Sequence, residues 1–190
     1  LHFGMTGYLE YEFEKDSLPK HTALCLHFKS GKRLLFIDPR KFGAVEYIDN
    51  FSDFLNKAHI GPDIETLSQK DFEKLLHERH GQLKPALMDQ TLMSGLGNVY
   101  TDEMLYQAKI HPEISIDKLS HKDIALMFKR MKTIIKEAIK DHAERSLMPD
   151  KYLIHRRHKG EKCLQCHKGT IQMKTVGGRS TYFCDWCQRP

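Results

Sequence analysis

Two pairs of cysteines near the end of the chain offer the clearest chemistry in the sequence. Cys163 and Cys166 form one CxxC pair, and Cys184 and Cys187 form a second pair after 17 intervening residues. Four thiolates in two such pairs can close a tetrahedron around Zn²⁺ and leave no open coordination position. The spacing therefore predicts one structural zinc ion; an iron site of the same geometry and a disulfide arrangement are the alternatives.

A closed metal site would explain how residues 151–190 fold. This region is short of large aliphatic side chains, so it cannot build a hydrophobic core of useful size and needs a staple. In a segment this small, the free energy of metal binding becomes free energy of folding. The loop between the cysteine pairs predicts a β-hairpin with Gly177 and Gly178 at its tip. Arg179 follows directly, where it can meet a phosphate.

Charge is distributed unevenly along the chain. Residues 151–190 contain nine Lys or Arg and two acidic residues, a net +7, whereas the first 150 residues sum to −2. A basic segment of this kind favours a polyanionic partner such as nucleic acid, the alternative being a solvated basic surface without a partner. Cysteines in CxxC pairs favour a reducing compartment. No apolar run approaches the roughly 20 residues that a membrane helix needs.

Residues 1–50 predict β-structure. Apolar and acidic residues alternate over residues 8–14, which is the period of a half-buried strand with Leu9, Tyr11 and Phe13 on one face. Further strands are expected over residues 24–28, 33–37 and 44–48.

Residues 51–145 predict helices. Ser68 and Ser120 each stand three residues before an aspartate, a spacing typical of a helix N-cap. Apolar residues recur at spacings of three and four over residues 124–139 and predict one long core helix. Between the capped helices, two glycines precede a helix start near Asn98, whose free N–H groups can face an anion; a plain inter-helix turn is the alternative.

Together these pieces resemble the formamidopyrimidine-DNA glycosylases of base-excision repair, the Fpg (MutM)/Nei family. Four stretches carry the resemblance in the family's order: residues 1–7 (LHFGMTG), 38–43 (DPRKFG), 95–103 (GLGNVYTDE), and the two-CxxC ribbon with residues 178–182 (GRSTY). The resemblance implies an α+β protein with three parts. These are the remaining strands of an N-terminal β-sandwich at residues 1–50, a helix–two-turn–helix DNA-binding domain at 51–150 and a zinc-finger β-hairpin at 151–190.

The resemblance also implies roles for individual residues. Met5, Arg40 and Phe42 would fill the gap left in the duplex when the damaged base is flipped out. Lys84, Asn98 and Arg179 would hold DNA phosphates around the lesion. The four ribbon cysteines would bind Zn²⁺, and His21 and Lys41 fall where the family has further DNA-facing polar residues.

The implied activity is removal of oxidised bases followed by strand cleavage at the abasic site. The family's nucleophile is an N-terminal proline amine that forms a Schiff base with the sugar. This sequence starts at Leu1 without a Pro-Glu pair. The nucleophile is therefore expected upstream, no catalytic residue is predicted within the chain, and the chain as given is expected to be inactive. The alternative is a non-catalytic zinc module that binds damaged DNA.

The expected partner is duplex DNA containing damaged bases or abasic sites. Residues 145–158 are shorter than the family's lesion-reading segment and differ from it, so the resemblance does not extend to a preference for 8-oxoguanine. A monomer with no membrane association is expected, located in a bacterial cytoplasm at the nucleoid. A zinc ribbon acting on RNA would explain the cysteines and the charge, but not the DPRKFG stretch.

Overall fold

A computed structural model describes residues 1–189, which divide into two compact units, Leu1–Phe54 and the chain from Leu55 onward. The first unit contains three strands, β1 (Tyr8–Phe13), β2 (Thr22–His27) and β3 (Lys32–Ile37). These strands form one antiparallel sheet in the order β1-β3-β2. Residues 44–48 do not form the predicted fourth strand, because only Ala44 pairs, in an isolated bridge with His2. The predicted domain boundaries near residues 50 and 150 stay predictions.

The alternation predicted for β1 is present, and the face that carries its apolar residues is the more exposed one. Leu9, Tyr11 and Phe13 are 41%, 57% and 68% exposed. The opposite face carries Glu12, whose carboxylate accepts a 2.8 Å hydrogen bond from the guanidinium of the buried Arg33 on β3. Within residues 1–54 the sheet is a single layer, so the face that carries Leu9, Tyr11 and Phe13 has no second layer to pack against. On the opposite face, the buried guanidinium of Arg33 requires a charged partner, which Glu12 provides.

The second unit is a helical domain followed by a hairpin. Its elements after α1 (Phe51–Lys57, at the unit boundary) are α2 (Gln69–His77), α3 (Leu83–Leu87), α4 (Asn98–Ala108), α5 (His121–Lys140), β4 (Ile171–Val176) and β5 (Arg179–Cys184). The predicted core helix is α5, which buries Ile124, Met127, Met131, Ile134 and Ala138. Both predicted N-caps are present: the Ser68 and Ser120 hydroxyls accept from the backbone N–H of Asp71 and Asp123.

Helix α4 lies at the centre of this unit. It is buried over most of its length, and it packs against α5 on one side and against β5 on another. Strands β4 and β5 pair in antiparallel register, from Ile171 opposite Cys184 to Val176 opposite Arg179. Ser180, which follows the hairpin tip at Gly177–Gly178, accepts a hydrogen bond from Asn98, so the tip lies near the start of α4.

Candidate functional site

The four ribbon cysteines converge as their spacing predicts. The Sγ atoms of Cys163 and Cys187 are 3.8 Å apart, and those of Cys166 and Cys184 are 3.7 Å apart. Four sulfurs at about 2.3 Å from one tetrahedral metal ion would be separated by roughly 3.75 Å. A disulfide would need about 2.05 Å. The geometry therefore fits one metal ion held by four thiolates and excludes the disulfide alternative at these separations.

Hydrogen bonds around the sulfurs stabilise this arrangement. Backbone N–H groups of Gly169 and Trp186 donate to Cys166 Sγ and Cys184 Sγ, both at 3.4 Å. The Tyr106 hydroxyl on α4 lies 3.3 Å from Cys163 Sγ. Outer contacts of this kind orient the ligands of a metal ion. The contact from Tyr106 also joins the cysteine cluster directly to the helical domain.

The hairpin tip and the helical domain bring the predicted phosphate-holding residues together. Asn98 Nδ2 donates to the Ser180 carbonyl at 3.0 Å, and Lys84 Nζ donates to Thr181 Oγ1 at 2.6 Å. Arg179 is exposed and directly precedes these two partners on β5. At the tip, a Cβ on Gly177 would lie 2.9 Å from the Pro85 side chain, so the hairpin contacts α3 closely.

Lys84 lies deeper than the phosphate-contact prediction requires. Its side chain has no exposed surface, and its Nζ lies 2.6 Å from Asp102 Oδ1. Burial lowers the pKa of Lys84, and the charge of Asp102 opposes that effect. The predicted direct contact with DNA is therefore not available in this conformation, because the ammonium is already occupied by Asp102 and Thr181.

Asp102 is a functional candidate that the sequence did not reveal. Its second carboxylate oxygen accepts from Arg157 Nη1 at 2.6 Å and from the backbone N–H of Tyr182 at 3.0 Å. The side chain is fully buried. One carboxylate thus connects α3, α4, the segment before the ribbon and β5. The only signal that could have identified Asp102 is a charged residue in a helix that is buried over most of its length. That signal appears only once the packing of α4 is known.

The predicted duplex-filling residues lie on two adjoining loops of the first unit. Met5 and Phe42 are 72% and 56% exposed, although both are large and apolar. Arg40 stacks its guanidinium 4.9 Å from the centre of the Phe42 ring. Gly4 adopts a φ of +61°, and a Cβ there would come within 2.7 Å of the Phe42 backbone. The two loops are therefore in contact, and Gly4 permits that contact.

Hydrogen bonds of Asp38 fix the loop that presents Arg40 and Phe42. The buried Asp38 accepts a 2.7 Å hydrogen bond from the Gly43 backbone N–H, and its own N–H donates to the carbonyl of His21. His21 and Lys41 both adopt left-handed backbone conformations, with φ of 69° and 55°. Such conformations in non-glycine residues concentrate at functional sites.

The fold and these clusters define a class: a helical domain that carries a four-cysteine hairpin with an exposed arginine at its tip. Comparisons with known proteins agree. The sequence family called formamidopyrimidine-DNA glycosylase N-terminal domain matches residues 1–45. The sequence family called formamidopyrimidine-DNA glycosylase H2TH domain matches residues 60–148. The formamidopyrimidine-DNA glycosylase of Lactococcus lactis is 35% identical over 99% of this chain and 73% of its own length. That of Listeria innocua is 32% identical over 99% and 74%.

Solved structures give the same result. The Lactococcus lactis enzyme bound non-covalently to DNA containing an AP site has a TM-score of 0.85 and 33% identity, covering 100% of this chain and 73% of that one. MutM in complex with DNA containing carbocyclic 8-oxo-G has a TM-score of 0.84 and 32% identity, covering 98% and 72%. The chain belongs to the formamidopyrimidine-DNA glycosylase family.

Across residues 1–189, no helix is both long and apolar enough to cross a bilayer.

Proposed function

We propose that this chain holds damaged duplex DNA for base-excision repair, in a protein that removes oxidised bases and cleaves the strand at the resulting abasic site. The observation that carries the proposal is the exposed group formed by Met5, Arg40 and Phe42 on two touching loops. Family membership supports the enzymatic activity over the alternative of a non-catalytic binding module.

The loop group matches the needs of base flipping. An enzyme that acts on a stacked base must extrude it, which leaves a gap and an orphaned partner base. Met5 and Phe42 are apolar wedges that can replace the lost stacking. Arg40 offers a planar set of donors that can hydrogen-bond the orphaned base. Its stacking on Phe42 keeps the guanidinium at the end of the loop, so the three side chains can enter the duplex as one unit.

Phosphate binding is proposed for the start of α4 and the hairpin tip. The Arg179 side chain is exposed at the tip, and Asn98 stands at the first position of an 11-residue helix. Free N–H groups and the helix dipole favour an anion at this position. Contacts to phosphate position the duplex without reading its sequence, as a search for lesions requires.

Lys84 takes an indirect part in this proposal. Its buried ammonium bonds Thr181, two residues beyond Arg179, and pairs with Asp102. We therefore assign Lys84 to positioning the hairpin, in place of the direct phosphate contact that the resemblance implied.

The metal is proposed to be zinc. Four thiolates with no open position form a structural site, and Zn²⁺ is the ion that such sites most commonly hold. When bound, the ion would staple the hairpin and so fix Arg179; it would supply no chemistry to the reaction. Cys163, Cys166, Cys184 and Cys187 are its proposed ligands.

The nucleophile stays a prediction. A Schiff-base reaction needs an unprotonated amine that reaches the sugar C1′. Although burial lowers the pKa of Lys84, its Nζ has no exposed surface. Lys84 is therefore not proposed as the nucleophile, and the proline amine that the resemblance implies stays an expectation. A monomer located at the nucleoid likewise stays a prediction.

Strand cleavage tests the proposed activity. The full-length natural protein that contains this sequence should nick duplex DNA at a single abasic site, and a duplex of the same sequence without the lesion should stay intact. Binding to the abasic duplex without cleavage would instead support the non-catalytic module. Equal binding and equal cleavage of the two duplexes would contradict both the enzyme and the non-catalytic module.

A further inference from the structure

A second group of metal-ligand side chains lies on the surface of the helical domain, separate from the four cysteines. It consists of Glu73 and His77 on α2 and His121 on α5. None of these residues belongs to the stretches that carry the family resemblance, and none takes part in the DNA-binding groups described above.

The positions follow from the two helices. Glu73 and His77 are four residues apart, so they lie one turn from each other on the same face of α2. His121 is the first residue of α5, directly after the Ser120 cap that fixes where the helix begins. The C-terminal half of α2 and the first turn of α5 therefore present three ligand side chains at one place.

The side chains face one another. His77 Nε2 lies 3.6 Å from Glu73 Oε1, and His121 Nδ1 hydrogen-bonds the same carboxylate oxygen. The imidazole rings stand edge to face with centres 6.0 Å apart. One ligand atom from each residue lies within 4.8 Å of the others. In a tetrahedral zinc site with bonds of about 2.0–2.1 Å, ligand atoms are roughly 3.4 Å apart, so small rotations of the two exposed histidines and the half-buried Glu73 suffice.

We propose that Glu73, His77 and His121 form a second metal site, which takes a divalent transition-metal ion such as Zn²⁺. Imidazole is a preferred ligand of zinc, copper and nickel, and one carboxylate completes a three-residue set. Three protein ligands leave a coordination position for water, unlike the closed four-cysteine site. The bound ion would join the end of α2 to the start of α5 and stabilise their packing.

Zinc titration of the untagged protein tests the proposal. The protein is first loaded with one equivalent of Zn²⁺ to fill the cysteine site and then freed of excess metal. Isothermal titration with Zn²⁺ should show one further equivalent bound. Because an ion that binds only the folded state stabilises it, free Zn²⁺ at ten times its dissociation constant should raise the melting temperature by about 3 °C.

Single substitutions locate the site. His77→Ala and His121→Ala each remove one ligand and should weaken the second binding event by about 10- to 100-fold or more. His80→Ala is the matched control, because His80 is an exposed histidine three residues beyond His77 but pairs with Asp117. It should bind the second Zn²⁺ as the unmodified protein does.

Three results would overturn the proposal. The first is saturation at one Zn²⁺ per chain up to millimolar metal. The second is a second equivalent that both ligand variants bind as tightly as the unmodified protein. The third is weakened binding confined to His80→Ala, which would place the ion elsewhere.

Discussion

Asp102 on α4 holds the buried ammonium of Lys84 on α3, with Oδ1 2.6 Å from Nζ and no exposed surface on either side chain. The other oxygen of the carboxylate binds Arg157 and the backbone of β5. Removing one partner of a buried ion pair leaves an uncompensated charge in a medium of low polarity. The residues that carry the hairpin thus depend on a carboxylate that itself contacts no DNA in our proposal.

Asp102→Asn should strongly destabilise the second unit. The substitution keeps the shape but removes the negative charge that faces both Lys84 and Arg157, so we expect a decrease of about 3–5 kcal/mol in the free energy of unfolding. Chemical denaturation measures it. Asp117→Asn serves as the control, since that exposed carboxylate pairs only at the surface and its substitution should change stability far less than Asp102→Asn. Equal stability of both variants would contradict the role given to Asp102.

Glu103 should make stability depend on pH. Burial raises the pKa of its carboxyl to about 7, although Gln107 and the Ile154 N–H donate to it. Between about pH 4.5 and 7 the folded protein keeps a proton that the unfolded chain has released. The contribution of Glu103 to the free energy of unfolding therefore falls as pH rises through that window, by about 3 kcal/mol in all.

Glu103→Gln removes this titration and isolates its effect. The free energy of unfolding of the variant, taken relative to that of the unmodified protein, should increase by about 3 kcal/mol from pH 4.5 to pH 7. Above pH 7 this difference should stay constant. Urea denaturation at a series of pH values provides both curves. Parallel curves across the window would show that Glu103 titrates normally.

Arg179→Ala should weaken DNA binding uniformly across sequences. Removing one phosphate contact reduces the magnitude of the slope of log K against log salt by about one. Fluorescence anisotropy at several salt concentrations measures that slope. Arg145, an exposed arginine in the 3₁₀ turn after α5, provides the control, because Arg145→Ala should leave the slope unchanged. An unchanged slope for Arg179→Ala would remove this residue from the proposed phosphate contacts.

The first equivalent of metal should depend on the four ribbon cysteines. Cys163→Ala breaks the tetrahedral set, so we expect release of the tightly bound ion and unfolding of β4 and β5. Elemental analysis and circular dichroism record the two effects. Cys25→Ala is the matched control, since Cys25 lies on β2 outside the cluster and its substitution should retain full metal content. Retention of the first, tightly bound equivalent by Cys163→Ala after excess metal is removed would contradict the four-thiolate site.

Local chemistry explains which features could be predicted from the sequence. The metal cluster depends on two short CxxC pairs, and the caps at Ser68 and Ser120 depend on partners three residues away. Such spacings are visible in the chain itself. The alternation in β1 was equally visible, but a period of two does not say which face is buried. That choice depended on Glu12 meeting the guanidinium of Arg33 on another strand.

The junction at Asp102 could not be predicted for a related reason. Its partners Lys84 and Arg157 are distant in sequence, and nothing in the residues around Asp102 shows that α4 is buried over most of its length. The same burial places the Lys84 ammonium against Asp102 and Thr181, and our proposal that Lys84 positions the hairpin rests on these contacts. Both contacts are long-range, so the spacing of motifs along the sequence does not show them.

The central claim is that the loop group of Met5, Arg40 and Phe42 recognises a gap in the duplex. The most direct test is the ratio of dissociation constants of this chain for an undamaged duplex and for the same duplex with one tetrahydrofuran abasic analogue. We predict tighter binding to the abasic analogue, and Arg40→Ala should bring the ratio close to one while preserving affinity for undamaged DNA. Equal affinity of the unmodified chain for both duplexes would contradict the account.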